Sequence, residues 1–152
     1  MKKYIGYLES VIGVLEIICT QTKLEGINFV ENKGKDEENE LLKQTKKQLI
    51  DYFNGTRTNF DIPLLLNGTD FQIQVWQELQ KIPYGKTVSY KQIAENIGNP
   101  KAVRAVGSAN GKNKIPIVIP CHRVIANNGK LAGYAGGTWR KEKLLEIEKI
   151  SL

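Results

Sequence analysis

The stretch Ile119-Pro120-Cys121-His122-Arg123-Val124 sets a thiol beside the only histidine of a 152-residue chain. A thiol becomes a nucleophile when its surroundings favour thiolate, and a neighbouring imidazole base is one such surrounding. A carboxylate can in turn orient the imidazole and stabilise its cation. On an extended strand, though, successive side chains point to opposite faces. Cys121 and His122 could then meet only where the backbone turns or a water bridges them. Pro116 and Pro120 argue against an ordinary central strand and for a rigid, partly irregular segment. On these residues alone three readings stay open: an activated thiol, a pair of metal ligands, and an inert buried cysteine with a chance neighbour.

The rest of the composition narrows these readings. Cys19 and Cys121 are the only cysteines, and with one histidine they match no zinc-ligand spacing, so no metal site is expected. Two distant cysteines are no disulfide framework either. The chain is 41% hydrophobic, enough for a core without cross-links. The N-terminal residues lack the apolar run of a signal peptide, and no segment approaches the roughly 18 apolar residues of a membrane span. A reducing, cytoplasmic location and no membrane partner are the expectation. The net charge of +6 suits a polyanionic partner without requiring one.

The elements that must position the thiol can be read from pattern. Residues 4–30 are rich in β-branched residues, with breaks at Gly13 and near Gly26, and predict a small antiparallel meander. Cys19 falls on this pattern as a core residue. A charged connector follows. Leu41, Thr45, Leu49 and Tyr52/Phe53 then share one helical face, and Gly55 is the stop. An extended, proline-containing linker leads to a boundary near 66–68, which predicts two domains, 1–66 and 67–152. Thr69 with Gln72, and Ser89 with Gln92, are candidate capping boxes for two helices. Asn99-Pro100 reads as the N-cap and first residue of a third, spanning KAVRAVGSAN. The pair of helices around Gly98 makes a helix-turn-helix, with Arg104 the one long basic side chain on a helix of small residues. That pair is either a packed hairpin or a DNA-docking element. KIPIVIPCHRVI is an apolar extended run, NNGKLAGYAGG a glycine-rich loop, and WRKEKLLEIEKI a terminal helix carrying Glu142, Glu146 and Glu148. The fold class expected is α+β: a small N-terminal domain with an antiparallel sheet plus a helix, then a mostly helical C-terminal domain with the helix-turn-helix and the cysteine.

These pieces together resemble one family. Pro120-Cys121-His122-Arg123-Val124-Ile125, preceded by NKIPIVI and followed by GYAGG and a terminal helix, is similar to the O6-alkylguanine-DNA alkyltransferases. PYGKTVSYKQIAENIGNPKAVRAVGSANGKN resembles the helix-turn-helix region of that family. The likeness is close over about residues 68–149 and one of style only before that. It implies DNA repair by irreversible, single-turnover transfer of an alkyl group from O6-alkylguanine, or O4-alkylthymine, to Cys121 after base flipping. It implies His122 as the base that takes the thiol proton through a water, Glu148 as the carboxylate orienting it, and Asn113 as the brace of the turn before the active segment. On the substrate side stand Tyr90, Tyr134, Ala135, Pro116 and Val124. On the DNA side stand Arg104, which fills the gap left by the flipped base, with Tyr90, Lys91, Asn99 and Asn127. Ala135 departs from members that carry serine there, which removes a hydroxyl from the guanine O6. The resemblance implies no cofactor, no metal, a monomer, and double-stranded DNA approached by the minor groove. Two rivals are a helix-turn-helix binder that recognises lesions without repairing them and a Cys-His-Glu hydrolase with multiple turnover.

Overall fold

The structure is a computed structural model that describes residues 1–129, 131, 133, 134 and 136–151. The chain divides into two compact units, Met1–Leu66 and Asn67–Leu152. The first is an antiparallel meander of β1 (Tyr4–Ser10), β2 (Gly13–Cys19) and β3 (Leu24–Val30), followed by helix α1 (Glu40–Phe53). Leu15, Ile17 and Cys19 alternate inward along β2 and are fully buried, the period-two signature of a half-buried strand. From α1, Leu42, Thr45, Leu49 and Tyr52 close this core. Their spacing of three, four and three keeps them on one helical face. Leu42, not Leu41, is therefore the inward residue of the first turn.

The second break of the meander lies at Thr20–Lys23, not near Gly26. The Thr20 N–H donates to the Lys23 carbonyl at 2.8 Å, and the Thr20 hydroxyl accepts from the Lys23 N–H at 3.1 Å. A threonine thus supplies the turn, while Gly26 sits inside β3, opposite Ile18.

The second unit is mostly helical. Helix α2 (Asp70–Leu79) opens on a complete capping box between Thr69 and Gln72. Its Val75, Trp76 and Leu79 are buried, and the Trp76 indole N–H donates to the Ala109 carbonyl at 2.9 Å. This fixes α2 against helix α4 (Val103–Gly111). Between them lie the two-residue strand β4 (Val88–Ser89) and helix α3 (Tyr90–Asn96). Ser89 caps α3 by accepting from the Gln92 N–H at 3.0 Å, but the second half of the box is absent. The Gln92 side chain donates instead to Asn96 at 2.8 Å. Helix α4 starts later than the sequence pattern predicts. Gly98 adopts φ +78°, and the Asn99 carbonyl accepts from the Ala102 N–H at 2.9 Å, so residues 99–102 are consumed in a turn. Ala102, not Asn99, is the N-cap, and it offers no side-chain hydrogen bond. Strand β5 (Val124–Ile125) pairs in parallel with β4, and helix α5 (Thr138–Ile147) closes the unit. Among the described residues no helix is long and apolar enough to cross a membrane.

Candidate active site

The extended run ends before Cys121, and the irregular stretch expected at its prolines takes a definite form. Residues 121–123 form a single 3-10 turn led by Pro120, and Val124 closes it by donating its N–H to the Cys121 carbonyl. Proline supplies the reason: it removes ladder donors at 116 and 120 and leaves a short tight turn as the way to pair the groups that remain. The turn puts the Cys121, His122 and Arg123 side chains all into the interior.

The loop before the turn is held by one side chain. Asn113 accepts from the Ile115 N–H at 3.0 Å and donates to the Ile119 carbonyl at 2.9 Å. Between these points Ile117 takes φ +76°, a left-handed conformation that is costly for a β-branched residue. Asn113 bridges that strained loop, and Pro116 is buried within it. The strand after the turn has a complementary task. Val88 pairs with Val124 and Ser89 with Ile125, so the chain that leaves Cys121 is locked beside the chain that enters α3. Tyr90, the first residue of α3, is thereby set near the thiol. Burial, then the Cys121 charge, raises its phenol above the ordinary value, while a hydrogen bond with Asn110 lowers it. The Tyr90 ring packs on Gly107 of α4, where an added Cβ would lie 3.9 Å from it.

Glu148 follows α5 directly and is buried, whereas Glu142 and Glu146 are exposed. Its Oε2 lies 2.6 Å from His122 Nε2. A carboxylate oxygen can only accept here, so Nε2 carries the proton and Nδ1 holds the basic lone pair. Nδ1 is buried and has no hydrogen-bond partner among the described residues. Burial holds the imidazole below its ordinary pKa, opposed by Glu148 and reinforced by Arg123 and Lys141. Glu148 also accepts from Arg123 Nε at 2.8 Å, from Arg123 Nη2 at 3.1 Å and from the Gly85 N–H at 3.0 Å. Gly85 reaches it from a tight turn in which its φ is +79°, a conformation that suits glycine. Arg123 Nη1 goes to the Ile82 carbonyl at 2.8 Å, and its guanidinium lies 5.7 Å from the centre of the Tyr84 ring.

The Cys121 thiol is buried, which pushes it up; Asn113, Lys141 and Tyr134 pull it back down. Tyr134 turns its hydroxyl inward, and burial raises that phenol well above its usual range. Val124 is buried, and its carbonyl accepts from Lys141 Nζ at 2.6 Å. The structure thus gathers Cys121, His122, Glu148, Asn113, Tyr90, Tyr134 and Val124 around one turn. Lys91, Asn99, Arg104 and Asn127 are not part of that cluster and are exposed. Ala135 lies outside the described residues. Residues 86–114 carry Lys86, Lys91, Lys101, Arg104, Lys112 and Lys114 against the single acid Glu95, a basic stretch spanning the helix-turn-helix. Sequence reasoning missed Arg123, Lys141, Tyr84 and Asn110. The one available signal was a charged residue inside an apolar run, as Arg123 is between His122 and Val124.

Comparison with known proteins shows the family. Residues 70–150 match the 6-O-methylguanine DNA methyltransferase DNA-binding domain, and residues 3–66 match the ribonuclease-like domain of the same proteins. The chain belongs to this family. A methylated-DNA–protein-cysteine methyltransferase of Methanosarcina acetivorans is 47% identical, with 95% of this chain and 97% of that one covered. The crystal structure of a Mycobacterium tuberculosis O6-methylguanine methyltransferase superposes with a TM-score of 0.89 at 44% identity, covering 97% of this chain and 93% of that one. The Mycobacterium tuberculosis protein in complex with DNA gives a TM-score of 0.87 at 46% identity, over 94% and 91% of the two chains. The family's α+β fold is the one described above.

Proposed function

We propose that this protein repairs DNA by accepting the alkyl group of O6-alkylguanine on Cys121, once per molecule. The carrying observation is the 2.6 Å contact between Glu148 and His122, which leaves His122 Nδ1 a buried base with no partner among the described residues, one position along the chain from the thiol. Burial keeps Cys121 protonated at rest, so the thiolate must be made on demand. His122 Nδ1 takes the proton through a water, and Glu148 stabilises the imidazolium that results. The thiolate then attacks the alkyl carbon in line. A C–S bond forms, the C–O6 bond breaks, and its electron pair leaves with guanine. Tyr90, set beside the thiol and with its phenol held protonated, donates to the leaving base. The product is a thioether that no group in the site can cleave, so the reaction stops at one equivalent. Asn113 is the brace of the loop, Tyr134, Pro116 and Val124 line the base pocket, and Ala135 is assigned to the substrate side on the family resemblance alone.

The lesion is unreachable inside a stacked duplex, so the nucleotide is flipped out, at a cost of a few kcal/mol. Arg104, exposed on α4, takes the place of the extruded base. Exposed Ala105 and Ser108 on the same helix permit the close backbone approach that the minor groove demands. Lys91, Asn99 and Asn127 complete the DNA surface, and O4-alkylthymine is a second substrate. The protein acts as a monomer in the reducing cytoplasm, with the first unit as a structural partner of the second. The test is mass spectrometry of the protein mixed with duplex DNA containing O6-methylguanine. The Cys121 peptide should gain one methylene, in a yield that saturates at one per protein. An unmodified peptide, or product in excess of protein, overturns the reading. Arg104→Ala should slow transfer from duplex DNA by about tenfold or more while leaving reaction with free O6-benzylguanine unchanged, loss of flipping being a matter of a few kcal/mol; equal losses on the two substrates would remove Arg104 from the flipping step.

A further inference from the structure

A second charged side chain is committed to the reactive turn, and the mechanism above does not use it. Lys141, on α5, is fully buried. Its Nζ donates to the Val124 carbonyl at 2.6 Å, and Val124 in turn donates its N–H to the Cys121 carbonyl. A buried ammonium ordinarily pairs with a carboxylate, yet among the described residues Lys141 makes no ion pair, its hydrogen-bond acceptor being that one neutral carbonyl. Glu148, seven residues on at the C-cap of the same helix, is taken by His122 and Arg123.

We propose that Lys141 is the counter-cation of the Cys121 thiolate, a positioning residue that acts through the thiol and is tied to its turn by the Val124 carbonyl. The anion that Lys141 lacks at rest appears when Cys121 loses its proton. Electrostatic coupling runs both ways: Lys141 pulls the thiol down, and the Cys121 thiolate pulls the lysine up. Burial dominates on the lysine and brings it from 10.5 down to about 8, so at neutral pH it still carries its charge. Among the described residues, the other side chains that interact with the thiol are Asn113, Tyr134 and Tyr90, all neutral. His122 feels Lys141 as well and is held down by it. This assignment rests on Cys121 being the acceptor, but its test does not need DNA.

The experiment follows carbamidomethylation of Cys121 by iodoacetamide, resolved from Cys19 by peptide mass spectrometry, across pH 6 to about 10. The thiolate pair forms the C–S bond and iodide leaves with the C–I pair. Lys141→Met removes the charge and the hydrogen bond, while Lys141→Gln removes the charge and keeps a donor for Val124. Both should react about tenfold more slowly than the unaltered protein at pH 7, one nearby charge being worth a pKa unit or more. The deficit should shrink as pH rises through about 8, where Lys141 itself becomes neutral. Wild-type reactivity in Lys141→Gln, or a deficit that does not change with pH, makes Lys141 a mere brace and overturns the proposal. Failure of methyl transfer from DNA, with these results intact, would sink the repair reading alone.

Discussion

The molecule buries two thiols, and they differ in everything except burial. Cys19 ends β2 in the sheet of the first unit, and Cys121 opens the 3-10 turn of the second. Burial raises both. Around Cys19 the remaining groups are the Thr45 hydroxyl, which lowers the thiol, and the Glu25 carboxylate, which disfavours thiolate further; the sum is a thiol pushed up to about 11. Around Cys121 stand donors from Asn113 and Tyr134 and the Lys141 cation, and the next residue is a histidine whose Nδ1 has no partner among the described residues. A buried cysteine is inert by default; reactivity comes from neighbours that offset what burial costs the anion.

The comparison can be broken at its strongest point first. Cys121→Ala should abolish methyl transfer in the mass-spectrometric assay, whereas Cys19→Ala should transfer one full equivalent and lose about 1 kcal/mol of stability by chemical denaturation. Transfer surviving in the first variant would make Cys19 or another group the acceptor. Next is Glu148→Gln, which leaves Arg123 buried without its charge partner and His122 without its carboxylate. About 3–5 kcal/mol of stability should go with it, and single-turnover transfer should slow by about a hundredfold or more. A variant as stable as the parent would contradict the buried pairing. A pH series sharpens the contrast more gently. For Cys19 the folded pKa of about 11 lies above the ordinary 9.0. Its contribution to stability is therefore complete below pH 9 and is lost as pH rises toward 11, since the unfolded thiol ionises first. Cys19→Ala should unfold with a shallower decline over that window; an unchanged slope would mean Cys19 is not held protonated. The smallest effect is expected for Thr45→Val. The Thr45 hydroxyl donates to the Leu41 carbonyl at 2.9 Å as well as meeting Cys19. Its loss should cost about 1 kcal/mol and leave transfer rates untouched.

Which parts of this were legible follows from what each residue answers to. The meander, the helix stripe through Thr45 and Leu49, and the Thr69 capping box obey local periodicity or local hydrogen bonds, so the pattern of types reveals them. Cys121, His122, Glu148 and Tyr90 were reached through a motif whose spacing survives without any structure. The 3-10 turn was not, because alternation of apolar residues looks the same whether prolines straighten or curl the chain. Asn99 looked like a cap because its type is right for one, yet its carbonyl closes a turn three residues before α4. Arg123 and Lys141 were invisible for a different reason. Charged types default to solvent in any reading by composition, and their burial depends on partners 25 and 17 residues away in sequence. Gly85 and Ile82 answer the same call from still farther, 63 and 41 residues from the groups they hold.

The position of α5 bears on the life of the chain before it has folded. Lys141 on that helix and Glu148 at its C-cap, the two residues that reach the reactive turn from there, leave the ribosome well after Cys121 does. Until α5 docks, Cys121 lacks the Lys141 ammonium near it, His122 lacks its Glu148 partner, and the thiol is an ordinary cysteine in an open chain. A nascent molecule is therefore no better a target for stray electrophiles than any other thiol. The transfer proposed for Cys121 needs His122 held by Glu148, so it becomes possible only once the second unit is whole.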